Sequence, residues 1–164
     1  MPRFWYLFAV LLAAPTAAAQ PAPCAGQEYR QFDFWVGAWN VFNPQGRQVG
    51  TNTIEPTLGG CALHEQWTSA GANRGFSYNI FDRGSRRWHQ TWVDNGGTLL
   101  LLDGGLAGTA MVLRGTTVNA QGTSVLNRIT WTPVAADSVR QLWETSADAG
   151  QTWTVAFHGM YVRQ

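Results

Sequence analysis

The chain has no lysine, only two cysteines, and charged residues at just 13% of its 164 positions. The missing lysines and sparse charges exclude a basic face. The formal net charge is +1, and without Arg3, which belongs to a leader segment, ten arginines balance ten acidic residues. Such a chain offers no electrostatic footprint for nucleic acid or for an anionic membrane surface. It also lacks the C-x-x-C and H-x-x-x-H spacings of a metal centre. No nucleophile elbow, readable Ser/His/Asp order or phosphate-cradling glycine loop is present. Gly104, Gly105 and Gly108 imitate part of a G-x-G-x-x-G, but no helical pattern follows them. The longest apolar run, Phe4 to Ala14, is too short to span a bilayer. Finally, no segment after the leader carries a convincing 3.6-residue apolar period.

The leader is read from residues 1–19. A cationic start, the apolar run and the small-residue ending Ala17-Ala18-Ala19 predict a secretory signal cut before Gln20. Cys24 follows Pro21-Ala22-Pro23, unlike a lipidated cysteine. Residues 20–164 are then one exported domain, periplasmic or extracellular, with no membrane span. In an oxidising compartment Cys24 and Cys61 are expected to form a disulfide.

What the sequence does have is tryptophan in short runs. Eight of its nine tryptophans fall in a train of strand-like segments rich in Val, Thr, Phe and Leu. Turn signals recur at 43–46, 59–60, 71–75, 82–84, 94–97, 103–105, 119–122, 135–137 and 148–150, where residues accept positive φ or bond their own backbone. Nine turns separate ten runs. One short helical turn is expected within residues 28–36. Ten short strands joined by tight turns avoid two raw edges by closing on themselves, so the fold class predicted is all-β, a single antiparallel up-and-down barrel. The last turn, Ser146-Ala147-Asp148-Ala149-Gly150-Gln151-Thr152-Trp153, matches the Asp-box S-x-D-x-G-x-T-W. In such a turn the Asp side chain bonds the loop, Gly takes positive φ and Trp packs beneath it, so Asp148, Gly150 and Trp153 are read as structural.

Strand alternation exposes the polar exceptions. Leu63, Glu65 and Trp67 share one face; so do Trp88, Gln90 and Trp92, then Val125, Asn127, Ile129 and Trp131, then Val139, Gln141 and Trp143. These stripes should point inward, each carrying one polar residue among large rings. Four buried polar groups need partners, from one another or from a ligand. Facing 131 with 141 across the turn at 135–137 sets Arg128 opposite Glu144 as an exterior ion pair of little energetic weight. His64 and His89 fall on outward faces, and His158 is opposite in phase to Trp153, Val155 and Phe157.

Phe32-Asp33-Phe34-Trp35-Val36-Gly37-Ala38-Trp39-Asn40-Val41 resembles the opening of a bacterial secreted family of unknown function with a lipocalin-like barrel. The runs at 59–67, 88–94 and 127–131 are similar to it as well. Gly37-Ala38-Trp39 further resembles the G-x-W of calycins, whose Trp plugs the barrel floor beneath a late arginine. That resemblance implies structural roles for Gly37, Trp39 and Arg163, with Arg140 the second candidate. With ten strands expected, the arrangement is nearer to that of fatty-acid-binding proteins than to an eight-stranded lipocalin.

The leading functional expectation is non-catalytic binding of a small, mostly apolar or amphipathic molecule inside the barrel. Glu65, Trp67, Trp88, Gln90, Trp92, Asn127, Gln141 and Trp143 are the candidate ligand-binding residues. Three alternatives stand beside it. The first is a filled barrel acting as a structural or interaction module. The second is a haem-binding barrel similar to nitrobindins, with His158 as axial ligand; no cofactor is otherwise expected. The third is an isomerase or cyclase using Glu65, whose desolvation among tryptophans would raise its pKa.

Overall fold

A computed structural model of the protein describes Met1 and residues 23–164; the leader read at residues 1–19 lies outside the described residues. Ten strands close into one antiparallel up-and-down barrel: β1 (Gly37–Phe42), β2 (Gln48–Thr57), β3 (Ala62–Ser69), β4 (Arg74–Asp82), β5 (Arg87–Asp94), β6 (Leu99–Ala107), β7 (Ala110–Val118), β8 (Ser124–Ala135), β9 (Ser138–Ser146) and β10 (Thr154–Arg163). Each strand pairs with its sequence neighbours. β1 also pairs with β10, with Trp39 opposite Arg163, so neither edge is left raw. The helical turn expected before β1 is two short 3-10 turns, Gln27–Arg30 and Asp33–Trp35.

Two local features depart from the sequence reading. Asp103-Gly104-Gly105 is no turn but the middle of β6, and the chain reverses at Gly108-Thr109. Gly104 is required there because a β-carbon would drive into the Val112 carbonyl of β7. A glycine inside a strand often marks such close backbone approach. The second departure is a bulge between Val155 and Phe157 on β10. It shifts the alternation, leaving Val155 outside at 56% exposure while Phe157 and Tyr161 face inward. Two further register shifts lie between Val41 and Phe42 in the β1–β2 pair and between Pro133 and Ala135 in the β8–β9 pair, and the Trp131–Gln141 register puts Arg128 against Glu144 at 3.0 Å.

The two ends of the barrel are filled differently. At the end holding the start of β1, the end of β10 and the β2–β3, β4–β5, β6–β7 and β8–β9 connections, the segment before β1 turns inward. Phe32 stacks on Trp35 at 4.9 Å between centroids and meets Trp131 and Trp88 edge-on at 5.2 and 5.6 Å. Trp39 lies in the same plug, its indole N–H donating to the Trp35 carbonyl at 2.9 Å. The Arg163 guanidinium sits 4.4 Å over the Trp39 ring, a favourable stack of a cation on an electron-rich face. Gly37 makes room for it: φ is +144°, and a β-carbon would occupy the guanidinium's position. Cys24 is joined to Cys61, tying the segment ahead of the plug to the start of β3.

The bond closes a separation of 37 residues, which on the chain-entropy account stabilises the fold by about 4 kcal/mol. Urea unfolding of the double variant Cys24→Ser/Cys61→Ser should register a loss of that order, with the m-value rising as the unfolded chain is released. Gly37→Ala should cost about 2 kcal/mol in the same assay, since it combines a disfavoured φ with displacement of Arg163.

Candidate functional site

The other end of the barrel is open. A cavity of about 430 Å³ enters from the mouth formed by the β3–β4 and β5–β6 loops and reaches the middle of the barrel. Its walls are Trp67 on β3, Trp92 on β5, Leu100 on β6, Trp143 on β9 and Phe157 on β10. The half-buried rings of Trp67, Trp92, Trp143 and Phe157 follow from alternation: each lies an even number of residues from a buried inward-facing neighbour on its own strand. The Trp67 and Phe157 rings meet edge-on at 5.8 Å. Trp67 and Trp143 are held by their indole N–H groups, which donate to Asn73 Oδ1 and Asn127 Oδ1, each at 3.0 Å.

The floor is polar. Glu65 is 4% exposed, and each carboxylate oxygen accepts one hydrogen bond: Oε1 from Asn52 Nδ2 at 2.7 Å, Oε2 from the Ser77 hydroxyl at 2.5 Å. Ser77 Oγ in turn accepts from Asn79 Nδ2 at 2.9 Å and Gln90 Nε2 at 3.3 Å. Asn52 also donates to Tyr161 Oη, and Tyr161 donates to Gln141 Oε1. The network spans β2, β3, β4, β5, β9 and β10. It exists because Glu65 lies opposite Ser77, and Asn79 opposite Gln90, on the inner face.

Among the described residues no arginine or histidine lines this cavity, and the electrostatics reflect it. Burial raises the Glu65 carboxyl to about 7, against the smaller opposing pull of hydrogen bonds from Ser77 and Asn52. Burial, reinforced by the neighbouring Glu65 charge, pushes the Tyr161 phenol well above its usual value despite the Asn52 hydrogen bond. At the mouth Asp94 behaves oppositely. Desolvation is the largest single influence and raises it, but the combined bonds from Thr98, Gly96 and Asn73 outweigh it and keep the carboxyl below its ordinary value.

Of the residues singled out in the sequence, Glu65, Trp67, Gln90, Trp92, Gln141 and Trp143 all line the cavity. Trp88 and Asn127 do not. Trp88 is fully buried in the plug against Phe32, with its indole N–H on Gln31, while Asn127 stands behind Trp143 and orients it. His158 alternates with Phe157 and Gly159 and is not part of the lining. His64 stacks on Tyr78 and Phe76 outside the barrel, and His89 bonds Asp103 and Thr91. Among the described residues no group of three or more His, Cys, Asp or Glu could hold a metal ion. The turn at 146–153 sits at the open end. There the Ser146 hydroxyl accepts from the Gly150 amide while donating to Asp148, and Thr152 completes the loop. These bonds, Ser146 first, draw the Asp148 carboxyl down to about 2.

The residues that sequence reasoning passed over are Asn52, Ser77, Asn79, Tyr161 and Phe157. Asn52, Ser77 and Asn79 sit at alternate positions of β2 and β4, strands that carry no tryptophan to advertise an inner face. Phe157 and Tyr161 lie on β10 beyond a bulge that turns Val155 outward and leaves these two facing in.

Glu65 makes stability depend on pH in a defined window. Its carboxyl is protonated more readily in the fold (about 7) than in its ordinary setting (4.5). The fold therefore holds the extra proton between those values, and the associated stability is complete below 4.5 and lost as pH rises through 7. The loss is about 3 kcal/mol. Urea midpoints measured from pH 4.5 to 8 should fall across that range in the wild type and stay flat in Glu65→Gln. A wild-type curve that rises there would contradict a desolvated Glu65.

No protein-family model and no curated protein matches the chain, so its function is argued from the cavity itself.

Proposed function

We propose that this protein is an exported binding protein that holds one small, mostly apolar molecule in the open half of its barrel, without turnover. The observation that carries the reading is the cavity: about 430 Å³, walled by Trp67, Trp92, Trp143 and Phe157 over a polar floor. That volume falls in the range of small-molecule sites, and an apolar wall with a few convergent polar groups is their usual chemistry. Rings held by Asn73 and Asn127 are pre-set rather than mobile, which lowers the entropy lost on binding. Export is supported by the Cys24–Cys61 bond, which suits an oxidising compartment. The same setting agrees with the resemblance to secreted barrels of unknown function. No helix among the described residues is long and apolar enough to cross a membrane.

Glu65 supports a second reading. A buried carboxyl raised to about 7 is matched to general acid or base work near neutrality. An isomerase or cyclase acting on a bound apolar substrate would need no metal and no nucleophile. The floor, however, offers no second group poised to take or give a proton, because Tyr161 is pushed up rather than down. Binding is accordingly the first reading.

A neutral aromatic fluorophore, N-phenyl-1-naphthylamine, tests it. Its emission should rise on addition of the protein, at one site per chain, with quenching of the wall tryptophans. Ala156 lies at the bulge and borders the cavity, and Ala156→Trp should weaken the probe by roughly tenfold or more as the new indole takes the space, with the circular dichroism of the barrel retained. A probe that binds the variant and the wild type equally would place it outside the cavity. No binding at all would favour a barrel without a ligand.

A further inference from the structure

The unused valences at the cavity floor are weighted toward acceptors. Each Glu65 oxygen takes a single hydrogen bond and has a second lone pair free. Gln90 is 2% exposed and borders the cavity; its Nε2 is spent on Ser77, while its Oε1 accepts nothing from any described residue. Just behind, Asn52 Oδ1 and Asn79 Oδ1 are buried without a partner. The unpaired indole N–H groups of Trp35 and Trp131 belong to the plug and do not reach the cavity. Within the lining the neutral donors are the Gln141 amide N–H₂ and the Trp92 indole N–H, and among the described residues no cationic side chain lines the cavity to answer Glu65.

The charges around this layer agree. The two ionisable acids on the cavity are Glu65 at the floor and Asp94 at the mouth. Arg74, beside the β3–β4 loop, does not line the cavity and directs its Nη1 to the carbonyls of Ser69, Gly71 and Asn73. A buried carboxylate that lacks a counter-charge in the free protein has already been stripped of water, so a cation that reaches it gains the attraction without a second desolvation of the acid. The walls permit such a guest, since tryptophan faces attract cations as well as apolar carbon.

We propose that the ligand is an organic cation, a protonated primary amine on a small aromatic or apolar body, with its ammonium seated between Glu65 and Gln90 Oε1 and its body against Trp67, Trp92 and Trp143. An ammonium supplies three donors, which matches the free lone pairs of Glu65 and Gln90. A carboxylate ligand would instead face Glu65 and Asp94 with no donor of opposite charge. The proposal rests on the cavity-binding reading given above, and its test separates the two.

The test compares 2-phenylethylamine, 2-phenylethanol and 3-phenylpropionate, which share a body and differ in charge, as displacers of N-phenyl-1-naphthylamine, with calorimetry for each alone. At pH 8, above the value of about 7 to which Glu65 is raised, the amine should bind roughly tenfold or more tighter than the alcohol. The carboxylate should not displace the probe. In Glu65→Gln, which preserves shape, the amine and the alcohol should come within about twofold of each other. The comparison on the wild type stands even if that variant is unstable. A bound probe displaced equally by amine and alcohol, or best by the carboxylate, overturns the cation while leaving the binding reading intact. An amine preference unchanged in a folded Glu65→Gln overturns the assignment to Glu65. A probe and three compounds that all fail to bind overturn both.

Discussion

A ten-stranded barrel encloses more volume than the side chains of its own strands fill, and everything else in this protein follows from how that space is divided. Small barrels of about eight strands close over their own side chains; wider ones need a plug or a guest. Here the segment ahead of β1 supplies the plug. Phe32 and Trp35, both fully buried, enter from the terminal end and complete a cluster with Trp39, Trp88, Trp131 and Tyr161. The plug stops at mid-barrel. Beyond it the inward side chains are still large but meet no opposing layer, and the cavity is the space that remains.

Glu65 sits at the boundary between the two halves. In the plug it would be a charge without water; at the mouth it would be an ordinary surface acid. At mid-barrel it is desolvated yet reachable, and its two internal donors, Asn52 and Ser77, recover only part of what burial removes. The same donors fix its orientation, because each is itself engaged, Asn52 with Tyr161 and Ser77 with Asn79 and Gln90. A network whose donors are engaged on the protein side while its acceptors stay open is pre-organised, which separates a site from a mere packing defect.

The sequence made the barrel legible because two independent signals agreed. Turn residues came at even spacing, and period-two stripes put Glu65, Gln90, Asn127 and Gln141 among tryptophans. Fold, strand count and the Arg128–Glu144 register were therefore readable. The failures are as physical. Asp103-Gly104-Gly105 has the composition of a turn but serves a close approach to Val112, a tertiary demand that no local pattern records. The bulge between Val155 and Phe157 breaks the phase of β10, so Val155, which shares a phase with Phe157 in the sequence, lies outside while Phe157 faces inward. Trp88 shows why the site was only partly legible. It shares a face with Gln90 and Trp92, but alternation tells which face is inward and not how deep the plug reaches, and Trp88 falls on the filled side.

Tyr161 connects the two halves. Its ring meets Trp35 and Trp39 at 6.4 and 6.3 Å, while its hydroxyl, one ring away, donates to Gln141 and accepts from Asn52 on the floor. Position 161 thus needs both an apolar body and a polar tip, which tyrosine combines where phenylalanine or glutamine would supply one alone. Arg163, two residues on, holds Trp39 from the end of the barrel, and Gly37 leaves the space for it. The polar floor is consequently positioned by the plug as much as by the strands. Displacement of Trp39 would be transmitted through the Tyr161 ring to the hydroxyl that orients Asn52, and from Asn52 to Glu65, although Trp39 does not line the cavity. The aromatic end of the barrel acts as a scaffold for the open end, and the chemistry of the cavity depends on packing that lies wholly outside it.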